Sequence, residues 1–135
     1  MVDGRGIPLS LVVSGAETPD VSLVAETLAA RVVRRAKALA FTPQYLSGEK
    51  GYTGAAAWKA AHEAGYTPAL LQRGATTERI PLPAARLRRW MVERCHRWLN
   101  LFRKLTIRYE KLKRSYEGLL QLACAIISWR QTIAI

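Results

Sequence analysis

The stretch YLSGEKGYTGAAAWKAAHEAGYTPALLQR, residues 45–73, reads as strand, helix, strand. A short extended run at 45–48 ends in a glycine-bracketed turn, Gly48-Glu49-Lys50-Gly51-Tyr52. Thr53 is placed to cap an alanine-rich helix over 54–64, and Gly65 is placed to stop it. TPALLQR, 67–73, then reads as a second strand. Strands that alternate with helices imply an α/β sheet covered by helices.

The pattern extends in both directions. Upstream, a tight turn at 3–6 leads into IPLSLVVSG, 7–15, which reads as a strand. Asp20 is an N-cap candidate, and Val21, Val24, Leu28 and Val32 follow at helical spacing, which predicts a helix to about residue 38. Downstream, 75–83 is loop-like. A long helix is predicted from 84 to about 109, and a last one from about 115 to 132. The expected order is β-α-β-α-β-α-α, an α/β class with long basic C-terminal helices. The chain has 135 residues, enough for one domain with a real core.

Charge is distributed unevenly. Residues 86–114 hold eleven Lys/Arg and two acids, Glu93 and Glu110, and so carry nearly all of the chain's formal net charge of +11. A concentrated cationic segment neutralises phosphates and releases counterions, so nucleic acid is the first expected partner and an acidic membrane surface the second. At ~100° per residue, Leu87, Trp90, Met91, Trp98, Leu101, Phe102 and Leu105 share one apolar side, expected to pack on the sheet. Arg86, Arg89, Glu93, Arg97, Asn100 and Lys104 share the other. Glu93 therefore stands in a basic stripe. Its bland role is i,i+4 pairing with Arg89 and Arg97; its functional role is to hold a divalent ion at a phosphate. Lys111, Lys113 and Arg114 form a further basic junction, open to phosphate contact or to plain solvation.

Other features carry less. Cys95 and Cys124 have neither disulfide-framework nor zinc-site spacing. His62 and His96 read as surface histidines, and Trp90 and Trp98 as core. The longest apolar tract, 118–129, is too short to span a bilayer, and a cytoplasmic, nucleoid-associated protein is expected.

The segments RRWMVERCHRWLNLFRKLTIRYEK (88–111) and SYEGLLQLACAIISWR (115–130) resemble the C-terminal part of insertion-sequence DDE transposases, closest to the insertion sequence five group. VDGRGIPLSLVVSGAETPDV (2–21), LSGEKGYTG (46–54) and GYTPALLQRG (65–74) are similar to three further family segments in the family's order. The resemblance implies the C-terminal part of an RNase H-like catalytic domain over 1–135. It also implies an Asp-Asp-Glu centre with Mg²⁺ or Mn²⁺ that cleaves and transfers DNA strands at element ends and target.

The family's Glu, in its "VER" sequence, falls on Glu93. Of the family's Tyr-x2-Arg-x3-Glu-x6-Lys pattern, Arg89 matches, whereas Arg86 stands at the Tyr and Asn100 at the Lys. Glu49 occupies the second Asp position. Its extra methylene displaces the carboxylate by about a bond length, and errors on that scale can cost ~100-fold in rate. The first Asp belongs upstream of the hairpin at 2–8. The resemblance therefore implies a segment that is inactive by itself, with the transposase's N-terminal half or another copy as partner. A non-catalytic basic nucleic-acid-binding or transposase-interfering protein, or a decayed relic, is the alternative.

Overall fold

The computed structural model describes residues 1–34, 42–48, 50–52, 54–70 and 90–133. The chain divides into two compact units, one of Ser14–Leu87 and one of Met1–Val13 with Arg88–Ile135.

The first unit is built on the strand–helix–strand segment. Strands β1 (Tyr45–Gly48) and β2 (Thr67–Leu70) pair in parallel, with Tyr45 opposite Thr67 and Gly48 opposite Leu70. Helix α2 (Ala55–Glu63) is the crossover between them. Ala57 and Ala61, one turn apart, are almost fully buried, and their small side chains let the helix backbone approach its neighbours closely. Pro68, Ala69 and Leu70 form the buried strand, as expected of parallel pairing. Gly65 ends α2 in the left-handed conformation, φ 78°. The Gly65 N–H donates to the His62 carbonyl and the Tyr66 N–H to the Ala61 carbonyl, a Schellman closure. Residue 53, the expected cap, and residues 71–73 of the expected strand lie outside the described residues.

The helix expected over 20–38 is shorter. A 3₁₀ turn, Asp20–Leu23, leads into α1 (Val24–Ala29), which packs on α2 through Leu28. Asp20 opens the turn but is not its cap; Pro19 is, with no side-chain capping bond. The helix ends at Ala29, capped by Ala30, and Arg31 just beyond it reaches elsewhere. Its guanidinium donates to the Val33 carbonyl and to the Tyr66 hydroxyl, each at 2.9 Å. Val32, in register with the apolar stripe, is 83% exposed as a result. Residues 35–38 lie outside the described residues.

The second unit is helical. Helix α3 (Trp90–Asn100), the single turn α4 (Arg103–Thr106) and α5 (Lys113–Ile133) pack on one another. Cys95 on α3, and Ala123 and Ile127 one turn apart on α5, are its buried residues. Helix α3 packs on α4 and α5 within its unit, with Cys95 its buried residue. The single helix expected to reach 109 breaks after Asn100. The Leu101 and Phe102 N–H groups bond back to the carbonyls of Trp98 and Leu99, tightening the last turn, and Phe102 becomes extended. The bend brings Phe102 and Leu105 beside Leu119, Leu122, Ala123 and Ile126 of α5, around a groove of about 190 Å³. Leu101, on the same apolar side by spacing, is left 74% exposed.

The N-terminal turn belongs to this unit. Asp3 Oδ1 accepts the N–H groups of Arg5 and Ile7, both at 2.8 Å, and Val2 bridges Pro8 antiparallel. Of the strand expected over 7–15, the described residues show this one bridge, at Pro8.

Candidate nucleic-acid interface

Helix α3 presents Glu93 to solvent, one turn before the exposed Arg97 and two turns before the exposed Asn100. The expected ion pair of Glu93 with Arg97 is not formed among the described residues, whose ion pairs are Arg5–Asp3, Lys59–Glu63 and Lys113–Glu117. Arg86 and Arg89 lie outside the described residues. Lys104 sits on α4, past the bend, so it does not continue the α3 stripe as straight-helix spacing required. Lys111 lies in the connector before α5, and Lys113 and Arg114 open that helix; all three are exposed.

Arg94, beside Glu93, is held in place. Its guanidinium lies over the Trp90 ring at 4.4 Å and the Trp98 ring at 5.6 Å. It also donates to the Arg5 carbonyl at 3.4 Å. Gly6, at φ 87°, touches the same helix: a Cβ there would lie 2.8 Å from the Met91 carbonyl oxygen and 3.3 Å from Arg94 Cδ. The turn at 3–6 thus docks on the α3 segment that bears Glu93. Trp90, expected with Trp98 in the core, is 41% exposed. The spacing of residues 90, 94 and 98, four apart, was the available signal for this stack.

Glu49, the residue after β1, lies outside the described residues. Nearby, Leu70 and Tyr52 close over Gly48: a Cβ on Gly48 would lie 2.9 Å from Leu70 Cδ2 and 3.2 Å from Tyr52 Cβ. Among the described residues, no three His, Cys, Asp or Glu side chains come together where they could hold a metal ion. Mg²⁺ needs oxygen ligands in octahedral array, and Glu93 by itself is one such ligand, so the described residues do not fit a divalent ion on their own. The thiols of Cys95 and Cys124 are pushed up from 9.0, mainly by burial. Among the described residues, no helix is long and apolar enough to cross a membrane.

Residues 47–130 match the family model described as the Transposase DDE domain. That match covers more than half of the chain, which belongs to the DDE transposase family. Over 131 residues the chain is 29% identical to a candidate transposase of insertion sequence element IS402 from Burkholderia cepacia. The similarity takes in 96% of this chain and 60% of that protein, so the chain spans well under two thirds of its relative's length. No solved structure matches the chain.

Proposed function

We propose that this chain acts in DNA transposition as part of an RNase H-like catalytic domain, with its basic helical unit on the DNA backbone. The observation that carries the reading is Glu93: an exposed carboxylate in the Val92-Glu93-Arg94 sequence, without an ion-pair partner among the described residues, on a helix otherwise rich in cations. Arg97, Lys104, Lys111, Lys113 and Arg114 bind phosphates, and Arg86 and Arg89 extend that row. Glu93 and Glu49 are the metal-facing acids for Mg²⁺ or Mn²⁺, completed by an Asp from elsewhere in the assembly. In the completed assembly such ions would supply Lewis-acid chemistry at phosphorus.

Two measurements test this. Duplex DNA affinity should fall with salt. Seven phosphate contacts correspond to a log–log slope of roughly −6.3, and each Lys→Ala or Arg→Ala change among the seven should reduce it by about one. A flat salt response sinks the DNA-binding half. In cells carrying the complete element, Glu93→Gln should abolish excision while salt-dependent binding persists; retained excision removes Glu93 from the chemistry. A second reading, a non-catalytic DNA-binding or transposase-interfering protein, is favoured by Glu49 standing where the family has Asp. It predicts DNA binding with no excision defect in Glu93→Gln.

A further inference from the structure

The connector between α4 and α5 has its polarity turned inside out. Ile107, Tyr109 and Leu112 are 56%, 72% and 54% exposed. Glu110, the connector's acid, is instead half-buried, and its Oε2 is shut away from solvent without a hydrogen-bond partner among the described residues. An ordinary surface connector does the reverse, because apolar area favours burial and a carboxylate favours water. With the acid turned inward, the charged side chains that the connector exposes beside Tyr109 are the cations Arg108 and Lys111. Lys111 and Arg114 are exposed and form no ion pair among the described residues. Arg108 is fixed beside them, its guanidinium over the Tyr116 ring at 5.0 Å and its Nε donating to the Glu110 carbonyl at 3.4 Å.

The geometry points to a single-strand contact: Tyr109 stacks on an unpaired DNA base while Lys111 and Arg114 hold the flanking phosphates. The assignment rests on the DNA-binding role proposed above and adds the form of DNA recognised. Exposed cations alone attract any polyanion. An aromatic ring standing free among them adds affinity where base faces are open, and in a duplex those faces are stacked away. Tyr109 lies on the irregular backbone of 107–112, between α4 and α5 in the chain.

The test uses the full chain and fluorescence anisotropy with labelled oligo-dT and a duplex of equal length. Tyr109→Ala should weaken oligo-dT binding roughly tenfold and change duplex binding by less than about twofold. Tyr109→Phe should bind both as the wild type does. Lys111→Ala with Arg114→Ala should weaken both DNAs and flatten the salt slope. Because Tyr109 is exposed, all variants should melt with the wild type, which separates a binding loss from misfolding. The inference is overturned if Tyr109→Ala binds oligo-dT like the wild type, if it loses both DNAs equally, or if the wild type prefers oligo-U to oligo-dT. A wild type that binds neither DNA overturns the proposed function itself. Salt-dependent binding indifferent to Tyr109 overturns this inference alone.

Discussion

Replacing Gly6 by alanine should destabilise the helical unit far more than the same change two residues earlier. Gly6 is held at φ 87°, and a Cβ there would meet the Met91 carbonyl oxygen at 2.8 Å, with Arg94 Cδ and Cβ at 3.3 and 3.5 Å. Left-handed backbone costs a residue with a Cβ roughly 1–2 kcal/mol. The carbonyl is part of α3 and yields only if the turn lifts away, an overpacking cost of about 1–3 kcal/mol. Lifting the turn also strains the Arg94-to-Arg5 hydrogen bond. The expected loss for Gly6→Ala is therefore about 2–5 kcal/mol. Gly4 is the internal control: it has no positive φ, and a Cβ there would meet nothing within 4 Å. Gly4→Ala should be neutral or stabilise by up to ~1 kcal/mol, through the unfolded chain. The assay is urea unfolding followed by tryptophan fluorescence, since Trp90 and Trp98 flank Arg94 at the docking point. If Gly6→Ala unfolds within about 0.5 kcal/mol of Gly4→Ala, the turn does not clamp the helix and the reasoning fails.

Two further outcomes follow from the same geometry. Gly65→Ala should cost about 1–2 kcal/mol and Gly65→Asn less, because the left-handed closure of α2 tolerates Asn; thermal melts of the two variants give the order. Burial raises the thiol pKa of Cys95 and Cys124 above 9.0, so the unfolded chain ionises them first as pH rises. Their contribution to stability is complete below that value and declines as pH climbs through it toward the folded pKa. The urea midpoint should thus drop more between pH 8 and 10 in the wild type than in Cys124→Ser.

The strand–helix–strand order was legible because local signals agreed: glycines at 48, 51 and 65 punctuate an alanine-rich helix; the parallel pairing of the two strands shows only in the structure. The basic unit was legible in composition and only partly in shape. Spacing assigned Leu101 and Phe102 to the same apolar side, but spacing does not say what lies opposite. α5 rewards a bend that seats Phe102 and Leu105 and abandons Leu101. The same limit applies upstream, where Val32 fits the helical stripe but Arg31 finds Tyr66, thirty-five residues away. Hydrogen bonds of that range have no trace in a local period. At the candidate site, residue type and order marked Glu93. The inward turn of Glu110 could not be read, because the sequence does not reveal which one of the connector's alternating apolar and charged residues is buried.

The charge around Glu93 constrains how the proposed site could work. Of the arginines near it, Arg94 is occupied by two indole rings and the Arg5 carbonyl, and Arg97 forms no ion pair with it, so the carboxylate oxygens are not taken up by either. Yet a divalent cation approaching Glu93 meets the repulsion of the surrounding guanidinium and ammonium groups, and one carboxylate offsets little of that. Phosphates on Arg97, Lys104 and their neighbours would neutralise those cations and add anionic oxygens. In the proposed reading, metal and DNA therefore favour each other's binding, and the coupling is reciprocal: DNA should raise metal affinity by the same factor that metal raises DNA affinity. That dependence gives the basic face a part in assembling the chemistry beyond capturing the strand, and it would keep a lone carboxylate from holding a reactive ion before DNA arrives.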